Sequence, residues 1–119
     1  MTENEPGLFV VQRVGDVDIV EFMDEALIDQ ATIERMGRDL QELVAKAGHP
    51  KLIISFTNVH SVSSAVLGVL IATNKQVKKL RGELRLASIP DRVFEVFRLT
   101  RLDKMLKIYK TADEAMVKF

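Results

Sequence analysis

The chain has 119 residues, 47% hydrophobic and 29% charged, which predicts one folded globular domain. It contains no cysteine, so disulfides, zinc–thiolate sites, iron–sulfur ligation and thiol catalysis are excluded, and we expect a reducing cytoplasm as its location. Seventeen basic residues balance seventeen acidic ones, which argues against nucleic-acid binding because nucleic-acid binders carry a basic excess.

The predicted elements begin with a short polar tail, residues 1–7, which we expect to be flexible and which does not resemble a signal peptide. A folded domain is expected from residue 8 to residue 119, without a segment apolar and long enough to span a membrane. Two β-rich runs, 8–14 and 17–22, flank Gly15-Asp16. They predict a hairpin, because glycine supplies the positive φ that a tight turn requires.

A helix and a buried strand are predicted next. Apolar residues recur at 3.6-residue spacing from Ile33 to Ala47, which indicates an amphipathic helix. Asp29 or Thr32 can cap its start, and Gly48 can end it in a left-handed turn. Residues 52–56 form an almost continuous apolar run, which is typical of a strand buried on both faces.

The second half of the chain continues this alternation. The predicted elements are a helix over 64–79, a strand over 83–88, a helix over 90–99, a strand over 106–109 and a C-terminal helix opened by the capping-box pair Thr111 and Glu114. The order β-β-α-β-α-β-α-β-α predicts an α/β fold in which helices pack on a small mixed sheet. Its first hairpin is antiparallel and the remaining strands are mainly parallel.

Known catalytic and cofactor motifs are absent from the sequence. It contains no phosphate-binding loop, no dinucleotide fingerprint and no nucleophile elbow. No second histidine lies one helical turn from His49 or His60. We therefore predict no catalytic residue, no metal site and no cofactor.

The informative segment is 57–70, which joins the buried strand to the crossover helix. Its hydroxyl groups cluster where the helix should begin, at Ser61, Ser63 and Ser64. Residues 65–71 carry no charge, and Gly68 lies inside the helix. In a purely structural interpretation, Ser63 or Ser64 caps the helix, the apolar turns pack on the sheet and Gly68 lets helix and strand approach.

The same geometry suits a phosphorylation switch. A helix N-terminus stabilises a phosphate through free backbone N–H groups and the helix dipole. A phosphate adds about −1.5 to −2 charges at neutral pH. Beside an apolar docking patch this charge opposes association, so that one modification switches binding without unfolding the domain. Met23 and Asp24, with Leu27 and Ile28, form a semi-apolar connection near the strand ends that can be the rim of such a patch.

The stretch Ser63-Ser64-Ala65-Val66-Leu67-Gly68-Val69-Leu70 resembles the Asp-Ser-Ser-Gly-Leu-Gly-Val-Leu core of the anti-sigma factor antagonist family, whose domain is called STAS. The resemblance extends over nearly the whole chain. It implies a STAS-like fold with Ser64 as the phosphorylated residue and Ser63 as second choice. The partner-binding surface that it implies consists of Asn58, His60, Ser61, Ser63, Ser64, Ala65, Val66 and Val69.

The resemblance implies a bacterial, cytoplasmic binding module that is not an enzyme. Unphosphorylated, it would bind an anti-sigma factor serine kinase and release a sigma factor; a metal-dependent serine phosphatase would restore that state. Ser63 and Asn58 stand where family members are usually acidic. This neutral loop leaves open phosphorylation by a different kinase, or constitutive docking as a STAS subunit of a sensory or lipid-transport complex. A small anion- or nucleotide-binding domain is the third alternative.

Overall fold

Strands and helices alternate along residues 8–119, which the computed structural model describes; the predicted tail, residues 1–7, lies outside the described residues. The elements are β1 (Phe9–Val14), β2 (Val17–Phe22), β3 (Ala26–Leu27), α1 (Gln30–Lys46), β4 (Lys51–Ser55), β5 (Ser61–Val62), α2 (Ser64–Lys79), β6 (Glu83–Ala87), α3 (Asp91–Leu99), α4 (Leu102–Met105), β7 (Lys107–Tyr109) and α5 (Ala112–Met116). None of these helices is long and apolar enough to cross a membrane.

The main sheet is mixed, as predicted, with strand order β1-β2-β4-β6-β7. β1 runs antiparallel to β2, and the other neighbouring strands are parallel. One row across the four parallel strands consists of Val20, Ile54, Leu86 and Ile108. The first three are fully buried, so this face of the sheet forms the floor of the main core.

The main core lies between this face and helices α1, α2 and α3. The helices supply their apolar stripes at 3.6-residue spacing, and the strands supply every second side chain. Aromatic rings run through the core in edge-to-face contact: the centroids of Phe22 and Phe56 lie 5.4 Å apart, and those of Phe56 and Phe97 lie 5.9 Å apart. Such pairs stabilise a core beyond their buried area.

The opposite face of the sheet is covered by the short helix α5. Its Ala115 packs with Val17, Ile53 and Ala87 in a second, smaller core. α5 is too short to be stable alone. Its start is capped, because Thr111 Oγ1 accepts a hydrogen bond of 3.1 Å from the Glu114 amide, as the capping-box spacing predicts.

A buried arginine holds the end of this helix. The Arg85 guanidinium donates to the carbonyl oxygens of Ala115 at 2.7 Å, Val117 at 2.8 Å and Lys118 at 3.1 Å. It also lies 4.3 Å from the ring centroid of Phe119. One side chain of β6 therefore binds three carbonyls near the C-terminus and the ring of Phe119.

Glu83 neutralises this buried charge. Its Oε2 accepts from Arg85 Nε at 2.7 Å and from Lys107 Nζ at 3.0 Å. Partial burial raises the pKa of Glu83, but the hydrogen bonds from Arg85 and Lys107 outweigh burial and hold that pKa below its ordinary value.

Three turns of the chain need glycine, two for a positive φ and one for a close backbone contact. Gly15 and Gly48 have φ of 62° and 76°, which confirms the predicted hairpin turn and the left-handed end of α1. At Gly82 glycine is needed for a different reason, because a Cβ there would stand 2.0 Å from the Pro50 carbonyl oxygen. Only glycine lets these two turns approach so closely.

Two features of the fold were not predicted. β3 and β5 form a separate two-stranded parallel sheet, and α4 inserts one helical turn before β7. Each is too short to produce a periodic pattern. Pro90 is the N-cap of α3 rather than its first residue, so the helix begins at Asp91.

Candidate functional site

The predicted site is a loop fixed against a neighbouring segment. After β4 the chain turns through residues 56–60, pairs briefly as β5 and enters α2. The amides of His60 and Ser61 both donate to the Glu25 carbonyl oxygen, at 2.6 and 3.3 Å. The Ser63 amide donates to the Leu27 carbonyl oxygen at 3.0 Å. These bonds define the position of α2's first residue relative to β3.

Ser64 is the exposed hydroxyl of the site. It is the first residue of α2, and its side chain faces solvent. The N-cap before it, Ser63, has extended backbone geometry with φ −90° and ψ 165°. At this position a phosphate on Ser64 would stand beside the first amides of a sixteen-residue helix.

Ser63 differs from Ser64 although both carry a hydroxyl. The Ser63 Oγ is buried and has no hydrogen-bond partner among residues 8–119, and it does not cap the helix. Burial of this oxygen argues against Ser63, the second choice for phosphorylation, and leaves Ser64 as the hydroxyl that a kinase can reach. The prediction that Ser63 or Ser64 is the N-cap of α2 is confirmed for Ser63, but the Ser63 side chain makes no capping hydrogen bond.

The first turns of α2 point in two directions. Val66, Leu67 and Leu70 are buried in the main core. Val66 is fully buried and cannot contact a partner, so its place in the predicted binding surface is wrong. Ala65 and Val69 are half-buried and face a groove of about 260 Å³ between α1 and α2.

Gly68 also faces this groove. It is exposed, and a Cβ there would meet no atom within 4 Å. The interpretation that Gly68 lets the helix approach a strand is therefore wrong. The close approach lies instead at Gly37 of α1, where a Cβ would stand 3.4 Å from a methyl group of Val69.

An exposed apolar rim lies beside the loop. Met23 and Ile28 are 57% and 61% exposed, whereas Leu27 between them is buried. Ile28 directly follows β3, whose Leu27 pairs with Val62 of β5. The pairing places these two apolar side chains on the segment that is hydrogen-bonded to the serine loop.

The remaining predicted contact residues are exposed. Asn58, His60 and Ser61 all present their side chains to solvent. Like Ser64, they are polar and exposed, and none of the four residues is Asp, Glu, Lys or Arg. The structure thus brings together hydroxyl, amide and imidazole groups at the start of α2, with Met23 and Ile28 on the adjoining segment. We call these six residues the candidate docking surface.

Glu25 is the residue that sequence reasoning missed. Its carbonyl oxygen holds two successive amides of the loop. The only signal for this role is the pairing of Ala26 with Ser61, and a ladder of two residues leaves no readable alternation. Its exposed carboxylate and that of Asp24 put negative charge next to a loop that is itself neutral.

Two cavities lie beside this loop, and neither is lined by Asn58, Ser63 or Ser64. The groove between α1 and α2 is lined by Ala65 and Val69. A cavity of about 290 Å³ on the other face of the sheet is lined by Ser55, Thr57 and Ser88. Neither includes Ser64, which argues against a small anion or nucleotide enclosed at the serine loop.

Comparisons with known proteins place this geometry in a family context. A family model described as STAS domain matches residues 9–115. A Thermotoga neapolitana homolog of the protein TM1081 is 36% identical over 69 residues, which are 58% of this chain and 61% of that relative. The match thus spans about three fifths of the relative's length.

Two further proteins are similar over most of the chain. The anti-sigma-B factor antagonist of Listeria monocytogenes is 28% identical over 99 residues, 83% of this chain and 86% of that protein. The crystal structure of an anti-sigma factor antagonist from Mycobacterium paratuberculosis superimposes with a TM-score of 0.79 and 25% identity, over 91% of this chain and 89% of that one.

Proposed function

Because the chain belongs to the STAS domain family, we propose that it is an anti-sigma factor antagonist: a protein-binding module that binds an anti-sigma factor kinase and thereby releases a sigma factor. Two similar proteins, from Listeria monocytogenes and Mycobacterium paratuberculosis, carry the name anti-sigma factor or anti-sigma-B factor antagonist. On this proposal the chain is a substrate and a binding partner, not itself an enzyme, and it works in the cytoplasm.

The observation that carries the proposal is the exposed Ser64 hydroxyl at the first position of α2, next to a segment with exposed Met23 and Ile28. A partner that covers this surface removes apolar area from water, which favours association. The small, uncharged hydroxyl of Ser64 can be buried in such a contact if it finds one hydrogen-bond partner.

Phosphorylation would reverse this balance. The kinase would transfer the γ-phosphoryl group of ATP to Ser64 Oγ. The bond between the γ-phosphorus and the bridging oxygen breaks, ADP leaves, and a base of the kinase takes the hydroxyl proton. The product carries about −1.5 to −2 charges at the centre of the contact. The start of α2 stabilises that charge in the free protein, whereas association requires its desolvation. A metal-dependent serine phosphatase would restore the binding state by hydrolysis.

A constitutive docking role is the second candidate. Ser63 and Asn58 are neutral where family members are usually acidic, and Ser63 presents no hydroxyl to solvent. A STAS subunit of a permanent sensory or lipid-transport assembly would bind without Ser64 at the centre of the contact, so neither a phosphate on Ser64 nor Ser64→Asp would change its affinity. The two functions differ in one measurable property, the response of binding to charge at Ser64.

The test compares Ser64→Asp with Ser64→Ala in binding to the anti-sigma factor kinase. We expect Ser64→Asp to weaken binding by about tenfold or more, because it buries an unpaired carboxylate in the contact. Ser64→Ala should bind like the natural protein. Ala45→Asp is the matched control, because it adds the same charge on an exposed position of α1.

Intact mass after incubation with the kinase and ATP gives the second arm. One phosphate should appear on the natural protein and none on Ser64→Ala. Phosphate without loss of binding would overturn the switch, and equal affinities of all three variants would favour the constitutive assembly. Thermal unfolding should show that each variant remains folded.

A further inference from the structure

The outer edge of β1 is open within the described part of the chain. β1 ends the sheet, and no strand among residues 8–119 pairs with its outer side. The Met23 amide donates to the Leu8 carbonyl oxygen at 3.1 Å, so these two residues form a hydrogen-bonded pair of the β1–β2 ladder. Hydrogen-bonded pairs alternate along an antiparallel ladder. The backbone groups of Phe9, Val11 and Arg13 therefore point away from β2.

This edge carries few features that block further pairing. β1 and β2 pair residue by residue from Phe9 to Val14, without a bulge or proline. Val10, Val11 and Val14 are 50%, 43% and 38% exposed. The one charge of β1, Arg13, lies 3.4 Å from Asp18 of its own sheet. A long, apolar edge strand without a bulge, a proline or an unpaired charge pairs readily with another strand.

The opposite edge of the sheet is protected. β7 has only three residues and packs against α4 and α5. It begins at Lys107, and Lys110 follows its last residue. Short strands, lysines and covering helices are the usual protection of an edge. The two edges of one sheet thus differ, and only β1 offers a full-length template.

We propose that β1 pairs antiparallel with β1 of a second copy of this chain, about a twofold axis at Val11. In this register Val11 faces Val11 of the second copy, and Phe9 faces Arg13. Every outward N–H and C=O of these three residues finds a partner, which gives about six backbone hydrogen bonds. Two five-stranded sheets become one sheet of ten strands.

Charge favours a second copy as the occupant. The two Arg13 side chains stand four residues apart along the strand, roughly 13 Å, so the only charge of β1 does not oppose itself. The formal net charge of the chain is zero, so two copies do not repel at long range. The area that the two paired β1 strands would bury is small compared with that of standard interfaces. We therefore expect a reversible dimer that dissociates on dilution into the micromolar range. This inference does not rest on the proposed function.

The experiment is sedimentation velocity on the full chain over a concentration series. The mass should rise from 13.4 kDa toward twice that value as concentration increases. Val11→Lys and Val11→Glu should each weaken dimerisation by about tenfold or more, because like charges then face each other at the axis. An equimolar mixture of these two variants should dimerise again, since opposite charges then meet.

Val117→Lys is the control, because it introduces the same charge at a position that is 62% exposed and lies outside the strand. It should dimerise like the natural protein. A natural protein that stays monomeric throughout the series, a dimer that Val11→Lys leaves intact, or a mixture that does not recover would each overturn the proposal. Recovery in the mixture also shows that both variants are folded.

Discussion

The starts of α1 and α2 form a contrast within one molecule. At α1, Asp29 Oδ2 accepts hydrogen bonds from the Thr32 amide at 2.9 Å and from the Thr32 hydroxyl at 2.8 Å. At α2 the corresponding residue is Ser63, whose hydroxyl makes no bond with the helix. Both positions have extended backbone geometry and a side chain that commonly caps helices.

The start of α1 is stabilised by a side-chain cap, whereas the start of α2 has no side-chain cap. A side-chain cap satisfies one of the amides that every helix leaves without an intrahelical partner. The Ser63 side chain accepts no hydrogen bond from the first amides of α2, although the Ser63 carbonyl oxygen accepts one from the Val66 amide at 3.1 Å, and the exposed Ser64 hydroxyl stands beside these amides. We infer that α2 gives up local stability at the position where a phosphate would need those donors.

The largest effect on stability is expected at α1. Asp29→Ala removes both hydrogen bonds of the cap and should lower Tm by about 5 °C. Asp29→Asn retains a capping oxygen and serves as the control, with a much smaller loss. Differential scanning calorimetry measures both. An unchanged Tm for Asp29→Ala would mean that the two starts do not differ in stability.

Acid should reduce the stability that the charged Asp29 cap gives to α1. The hydrogen bonds from the Thr32 amide and hydroxyl hold the pKa of Asp29 below its ordinary value of 3.8. A lowered pKa contributes stability above the ordinary pKa, and that contribution is lost as pH falls through the folded-state pKa. The Tm of the natural protein should therefore fall relative to that of Asp29→Asn as pH is lowered below about 4.

The control for this pH series is Asp29→Asn itself, since its cap does not titrate. Asp16 and Glu83 also have lowered pKa values, and they are present in both proteins. Their loss of charge cancels in the comparison. A constant Tm difference from pH 6 to pH 3 would contradict a role for the charged cap.

The smallest effect is expected at α2. Replacing an N-cap serine by alanine usually costs about 1 kcal/mol. Ser63→Ala removes a buried hydroxyl without a hydrogen-bond partner, so it should leave Tm within about 2 °C of the natural value. Thermal unfolding by circular dichroism measures it. A loss as large as that of Asp29→Ala would reveal a cap at Ser63.

Much of the fold follows from periodicity. The 3.6-residue stripe of α1, the apolar run of β4 and the order of elements predict the mixed sheet with its helices. Asp29, Gly48 and Thr111 mark three boundaries that the structure confirms, because caps and left-handed turns depend on single residue types.

The site was predictable only in part. The resemblance identifies the serine loop, but sequence does not show which hydroxyl of Ser63 and Ser64 faces solvent. That difference depends on how the loop pairs with β3, which is two residues long. Val66, expected at the partner-binding surface, is buried, and Gly68, expected to pack close to a strand, is exposed. Packing, and not the local sequence pattern, determines which side of the helix faces the sheet.

The arginine that binds the end of the chain has a consequence for the order of folding. Arg85 is presented to three carbonyls by a strand in the middle of the parallel ladder, whereas α5 contributes a single helical turn. Residues 112–119 therefore have nothing to dock on until β4, β6 and β7 are aligned. They should join the native structure last, and they should open first in local fluctuations that leave the rest of the domain intact.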